Sequence, residues 1–248
     1  MIFMGKRLSY RGHKRMKTIG ILGGSSDQAT AEYYSRINKA VNARLGGWHT
    51  GQILLYSMDF ATSEHFVRNN LWDEAAAYLT EKAQNLERGG ADLLLCVSNT
   101  LHRVADRYAS AVNIPFLHIV DPTAEAIRAE GLQRVALLGT KPVMSFDFLK
   151  RRYVDRFGID ILVPPEEEQD QLDRIIFDEL CRGIFTEDAK EFYLNSVDAL
   201  RAREAEGVIL GCTEIPLLIA QSDRPDFPMF NTLALHVEAA VQFALAAQ

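Results

Sequence analysis

The feature that most restricts how this chain can fold is an internal repeat. "TIGILGGS" (18–25) and "RVALLGTK" (134–141) are short apolar runs that reach glycine and then a hydroxyl residue, and "DLLLCVSNT" (92–100) is matched by "EGVILGCTE" (206–214). Gly23 and Ser98 stand 75 positions apart, Gly139 and Cys212 73. The two halves also close alike, with "IPFLHIVDPTAEAI" (114–127) echoed by "FPMFNTLALHVEAA" (227–240). Between these markers, Leu-rich and β-branched runs alternate with amphipathic stretches, the rhythm of parallel βαβ units. The expectation is therefore an α/β fold: two similar Rossmann-like domains with mainly parallel sheets, related by a pseudo-two-fold, with the active site in the cleft between them. The domains are drawn as 18–115 plus 232–248 and 116–231, with 1–15 as a basic N-terminal extension ahead of Met16.

In each half the run "QILLYSMDF" (52–60) or "IDILVP" (159–164) reads as a second strand. Helices are expected over 29–45, 72–90, 143–158, 168–183 and 187–206. A chain of 248 residues, 48% hydrophobic, has ample material for two such cores. Net charge is −6, but residues 1–17 hold six Lys/Arg and no acid, so the rest of the chain carries −12. A body that acidic argues against a nucleic-acid partner, and no apolar run approaches the roughly 20 residues of a membrane-spanning helix. Cys96, Cys181 and Cys212 are an odd number, which fits a reducing cytoplasm better than a disulfide framework. No zinc-ligand spacing, dinucleotide fingerprint or phosphate loop occurs, so no cofactor is expected.

Ligands of parallel sheets lie at the carboxyl ends of the strands. The repeat makes Ser98, rather than Cys96, the counterpart of Cys212, and places the two across the cleft. Cys96, two positions earlier on the strand, reads as core. Cys212 follows Gly211 at a strand-to-helix turn, where free backbone N–H groups would favour a thiolate. Two proton-handling groups on opposite faces of one carbon can remove a proton from one side and return one to the other. Asn99, Thr100, Thr140 and Thr213 are available to stabilise the intermediate charge, or to serve simply as turn and cap residues. Lys141 is a candidate carboxylate contact. His102 reads as a first-turn polar residue, His118 and His236 as structural, and Glu166 to Glu168 as a solvated helix start.

Taken together, "GILGGSSDQATAEYY", "LYSMDF", "SNTLHRVAD", "ALLGTK", "PPEEEQD", "IIFDELCRG" and "GCTEIPLL" resemble the aspartate/glutamate racemase family, in its aspartate racemase-like branch, over roughly residues 16–245. The resemblance implies two similar α/β domains, usually a homodimer, and cofactor-independent inversion of an amino acid by two cysteines, one per domain. Here the first of those cysteines is replaced by Ser98, and the second is Cys212. It also implies that Ser25, Asn99, Thr100, Thr140, Thr213 and Glu214 meet the substrate, and that a basic residue anchors its distal carboxylate. Arg182 stands near that position, and if Cys181 occupies it the anchor passes to Arg68. Asn231 stands where related sequences commonly have Asp. Alternatives in the same cleft are a single-cysteine decarboxylase or isomerase of a small dicarboxylate, and a binding relative without turnover.

Overall fold

The computed structural model describes residues 16–246, so the basic extension 1–15 lies outside the described residues. The first half contains β1 (Ile19–Gly23), α1 (Asp27–Leu45), β2 (Ile53–Ser57), α2 (Phe60–Arg68), α3 (Trp72–Arg88), β3 (Leu93–Cys96), a 3₁₀ turn Thr100–Val104, α4 (Ala105–Ala109), β4 (Phe116–Leu117) and α5 (Val120–Ala129). The second runs through β5 (Arg134–Gly139), α6 (Lys141–Ser145), α7 (Asp147–Phe157), β6 (Asp160–Leu162), α8 (Glu166–Asp178), a 3₁₀ turn Leu180–Arg182, α9 (Glu187–Ala202), β7 (Val208–Gly211), α10 (Ile215–Leu218), a 3₁₀ turn Gln221–Asp223, β8 (Met229–Asn231) and α11 (Thr232–Leu245).

The sheets are copies of one plan. Their strand orders are β2-β1-β3-β4 and β6-β5-β7-β8, and every pairing is parallel. Parallel strands need helices on both faces, and their sequences accordingly read as continuous apolar runs. On the first sheet, α1 and α11 bury Tyr33, Ile37, Val237 and Val241 against Ile21 and Leu95 on one face, while Leu79, Ala83 and Tyr108 cover Leu22 and Cys96 on the other. On the second, Val120, Ile127 and Tyr153 lie over Val135 and Leu137, opposite a layer built from α8 and α9. The closing helices are exchanged: α5 follows the first sheet but packs on the second, and α11 returns from the second to the first.

The strand ends that define the cleft depend on glycine at two places. Gly24 has φ +86°, and a Cβ there would lie 2.0 Å from the Met58 carbonyl oxygen, so the β1–α1 turn passes directly under the β2–α2 connection. Gly139 and Gly211 are register partners at the ends of β5 and β7, and a Cβ on either would meet the other strand's backbone oxygen within 3.0 Å.

Several elements differ from the sequence expectation. The second strand stops at Ser57 rather than 60, because Asp59 caps a new helix, its Oδ1 accepting the Ala61 N–H at 3.2 Å. The stretch 143–158 is two helices, broken where Phe146 adopts extended backbone (φ −84°, ψ 158°).

Candidate active site

β3 and β7 hold the same place in their respective sheets, and the residues that follow both strands line one cleft. Ser98, half-buried, leaves β3 and lets its Oγ accept the Leu101 N–H at 3.3 Å, closing the 3₁₀ turn. Its carbonyl accepts the Nδ1–H of His102 at 2.6 Å. That tautomer is set on the other side of the ring, where Nε2 accepts the Ile119 N–H at 3.2 Å. His102 is a first-turn residue as expected, but a buried one, and burial depresses its pKa to about 3, so it stays neutral and holds Ser98 in place. His236 is likewise buried and neutral, donating to the Leu117 carbonyl and accepting from Tyr33, and burial holds His118 far below the ordinary imidazole range.

Cys212 is only 8% exposed. Its Sγ–H donates to Glu214 Oε2 at 2.9 Å, and Thr213 Oγ1 donates to the same oxygen at 2.9 Å. Glu214 Oε1 is buried without a hydrogen-bond partner. The expected thiolate-favouring turn is corrected here. Burial, followed by the Glu214 carboxylate, pushes the Cys212 thiol well above its usual range, and α10 beyond it spans only Ile215–Leu218. A backbone dipole that short cannot offset a buried carboxylate 2.9 Å away.

One cleft, of ≈ 490 Å³ counted out to its open mouth, takes Ser98 in its wall from the first half and Cys212 from the second. Ser25, Asn99 and Thr100 line it on the first side, and Thr140, Thr213 and Glu214 on the second. Some of these side chains also tie the halves together. Thr100 and Thr140 share a 2.9 Å hydroxyl hydrogen bond, and Asn99 Nδ2 donates to Thr232 Oγ1 at 3.2 Å, which in turn donates to the Leu210 carbonyl. Ser25 Oγ donates to the Val97 carbonyl at 2.6 Å.

Arg68 and Lys141 are not in this wall. Arg68 borders an adjoining depression together with Arg182, and its Nη1 donates to Asp173 Oδ2 at 3.1 Å. Lys141 Nζ donates to Asp170 Oδ1 at 2.5 Å. No Lys, Arg or His lines the cleft among the described residues. Asn231, instead of facing a cation, caps α11 by accepting the Ala234 N–H at 3.0 Å. Sequence reasoning missed Phe60, Ser63, Glu64 and Val67 of α2, and Ile176 and Phe177 of α8, which form much of the remaining wall. The Asp59 cap was the one local signal for α2.

Fold and site together define a two-lobed α/β protein whose cleft, of mixed polar and apolar lining, takes residues from corresponding strand ends. The chain belongs to the Asp/Glu/hydantoin racemase family, whose model matches residues 19–240. Among solved structures it is similar to a candidate Asp/Glu racemase from Yersinia pestis, with 38% identity, a TM-score of 0.86, and 93% of this chain and 100% of that one covered. It is also similar to an aspartate racemase homologue from Pyrococcus horikoshii OT3, with 35% identity, a TM-score of 0.80 and the same coverage. Among curated proteins it is similar to a glutamate racemase of Koribacter versatilis (strain Ellin345), with 28% identity over 154 residues, 59% of this chain and 50% of that protein. The chain spans about half the length of the curated relatives it matches.

Proposed function

We propose that this protein is a cofactor-independent amino-acid racemase acting on aspartate and glutamate, with Cys212 and Ser98 serving opposite faces of the α-carbon. The observation that carries this reading is that a thiol and a hydroxyl from equivalent strand ends of the two halves line one small cleft. Two domains, 18–115 with 232–248 and 116–231, each contribute one of them.

Glu214 supports the reading electrostatically. A buried carboxylate oxygen without a partner, in a cleft without a basic side chain, invites a cation, and the substrate's α-ammonium is one. When the ammonium docks, its charge offsets that of Glu214, which otherwise holds the thiol pKa up, and the Cys212 thiol can release its proton to water at the open mouth. The thiolate then takes the α-hydrogen; the C–H bond breaks, its electron pair delocalises into the substrate carboxylate, and the S–H bond reforms. On the other face, Ser98 passes its hydroxyl proton to the carbanion and is reprotonated by water. Serine is a far weaker acid than a thiol, so this return is the slower step. Hydroxyls of Ser25, Thr100, Thr140 and Thr213, with Asn99, surround the developing charge.

The protein is further expected to act as a cytoplasmic homodimer. Tyr34 of α1, Trp48 of the following loop and Leu55 of edge strand β2 are exposed, and such an apolar edge suits a second copy. No helix among the described residues is long and apolar enough to cross a membrane. Incubating the protein with each hand of aspartate and glutamate in heavy water tests the activity. Inversion with deuterium at the α-carbon supports it; no exchange in either hand of either amino acid removes it.

A further inference from the structure

The two cations assigned to a carboxylate guest are both held by one acidic helix. Asp170 and Asp173 lie three residues apart on α8 and so share a face. Asp170 takes Lys141, which also approaches Glu166 at 3.6 Å, and Asp173 takes Arg68, whose Nε lies 3.6 Å from Glu64. Arg68 is the one that bears on the site. The depression it borders shares Phe60, Glu64, Phe177 and Cys181 with the cleft, so a side chain reaching out of the cleft enters the space that Arg68 lines. Its guanidinium lies 4.2 Å from the Phe177 ring centre, and that ring stacks on Phe60 at 6.4 Å with a 7° interplanar angle. Residues of both halves therefore hold the guanidinium at the mouth.

Asp173 is no ordinary surface partner. It is buried, and its Oδ1 accepts the Lys141 backbone N–H at 2.8 Å, at the start of α6 and directly after Thr140 of the cleft wall. Its position is thus fixed by the fold, independently of Arg68. A distal carboxylate that pairs with Arg68 must share the guanidinium with a buried carboxylate whose other oxygen holds a single backbone N–H, so the two anions compete for one cation. An uncharged side chain makes no such demand.

Building on the racemase reading, we propose that Asp173 is a specificity-determining residue that competes with the substrate's side-chain carboxylate for Arg68. The site therefore handles neutral amino acids alongside aspartate and glutamate, and separates the two classes weakly. Asp173 itself touches no substrate and acts through Arg68.

Asp173→Asn keeps an oxygen for the Lys141 N–H and removes the competing charge. KM for aspartate and glutamate should fall about tenfold, the worth of one charge-assisted hydrogen bond, with kcat nearly unchanged and KM for alanine and serine unmoved. In an Arg68→Met background the same substitution should no longer change the dicarboxylate KM. Glu64→Gln, at a more exposed partner, should move KM the same way by about twofold and serves should Asp173→Asn fold poorly. Succinate binding followed by calorimetry reads the competition without turnover, and should tighten about tenfold in Asp173→Asn. Tighter succinate with no inversion of any amino acid removes the racemase reading and leaves the competition standing. Inversion with unchanged dicarboxylate KM and succinate affinity, or equal gains for alanine and aspartate, overturns the competition.

Discussion

The ends of β3 and β7 occupy the same place in two sheets of identical strand order, yet they carry different chemistry. After β3, Ser98 is half-buried, its oxygen accepts a backbone N–H, and a neutral histidine secures its carbonyl. After β7, Cys212 is buried and its proton points at a carboxylate that lacks a compensating side-chain cation in the cleft. The scaffold is symmetric while its proton handling is not. Under the proposed mechanism the demanding acid–base work falls to the second half, where a thiol and a carboxylate sit together, and the first half supplies a hydroxyl that is held well but ionises poorly.

The comparison breaks most visibly at Cys212. Replacing it with Ala should cut α-proton exchange by about 10³-fold, the scale of a lost general base, as followed by loss of the α-proton NMR signal in heavy water. Making the halves alike should do the opposite. Ser98→Cys would give both faces a thiol and raise the inversion rate about tenfold, measured by polarimetry; a slower enzyme would mean that the hydroxyl has a role a thiol cannot fill.

Glu214 tests why the second half differs. Glu214→Gln removes the negative charge beside Cys212, so the thiol pKa should fall toward its ordinary value and the pH profile of iodoacetamide alkylation should move to lower pH. Inversion should weaken in the same variant, because the substrate ammonium loses its partner.

A separate effect, on stability rather than rate, concerns the support behind Ser98. His102 and His236 have pKa values lowered from 6.5 to about 3 and about 4 by burial. The unfolded chain therefore binds protons below pH 6.5 that the folded chain refuses, so stability is fully present above pH 6.5 and is lost as pH falls toward 4. Each histidine contributes a slope of about 1.4 kcal/mol per pH unit in that window. Denaturant titrations at stepped pH read it, and His102→Gln should flatten the slope.

The repeated plan and the parallel sheets were legible because apolar runs recur at nearly equal spacing in the two halves, and that spacing also picks out Ser98 and Cys212, which line one cleft. The mouth of the cleft was not. "YSMDF" continues an apolar-leaning strand by pattern, and only the Asp59 cap marks where α2 begins, so Phe60, Ser63 and Glu64 went unread. Arg68 and Lys141 were readable as cations, but their ion pairs were not, because Asp173 and Asp170 lie 105 and 29 residues further along the chain and reach them only in the folded protein. The charge state of Cys212 was misjudged for a similar reason: a turn motif advertises backbone dipoles, whereas burial beside Glu214 is set by the folded halves.

The central claim is that thiol and hydroxyl address opposite faces of one carbon. Deuterium exchange into each separate hand of aspartate, compared between Cys212→Ala and Ser98→Ala, tests it most directly. The account predicts that Ser98→Ala keeps exchange in one hand while losing inversion, and that Cys212→Ala loses exchange in that same hand. Undiminished inversion in Ser98→Ala, or exchange in both hands persisting without Cys212, would contradict it.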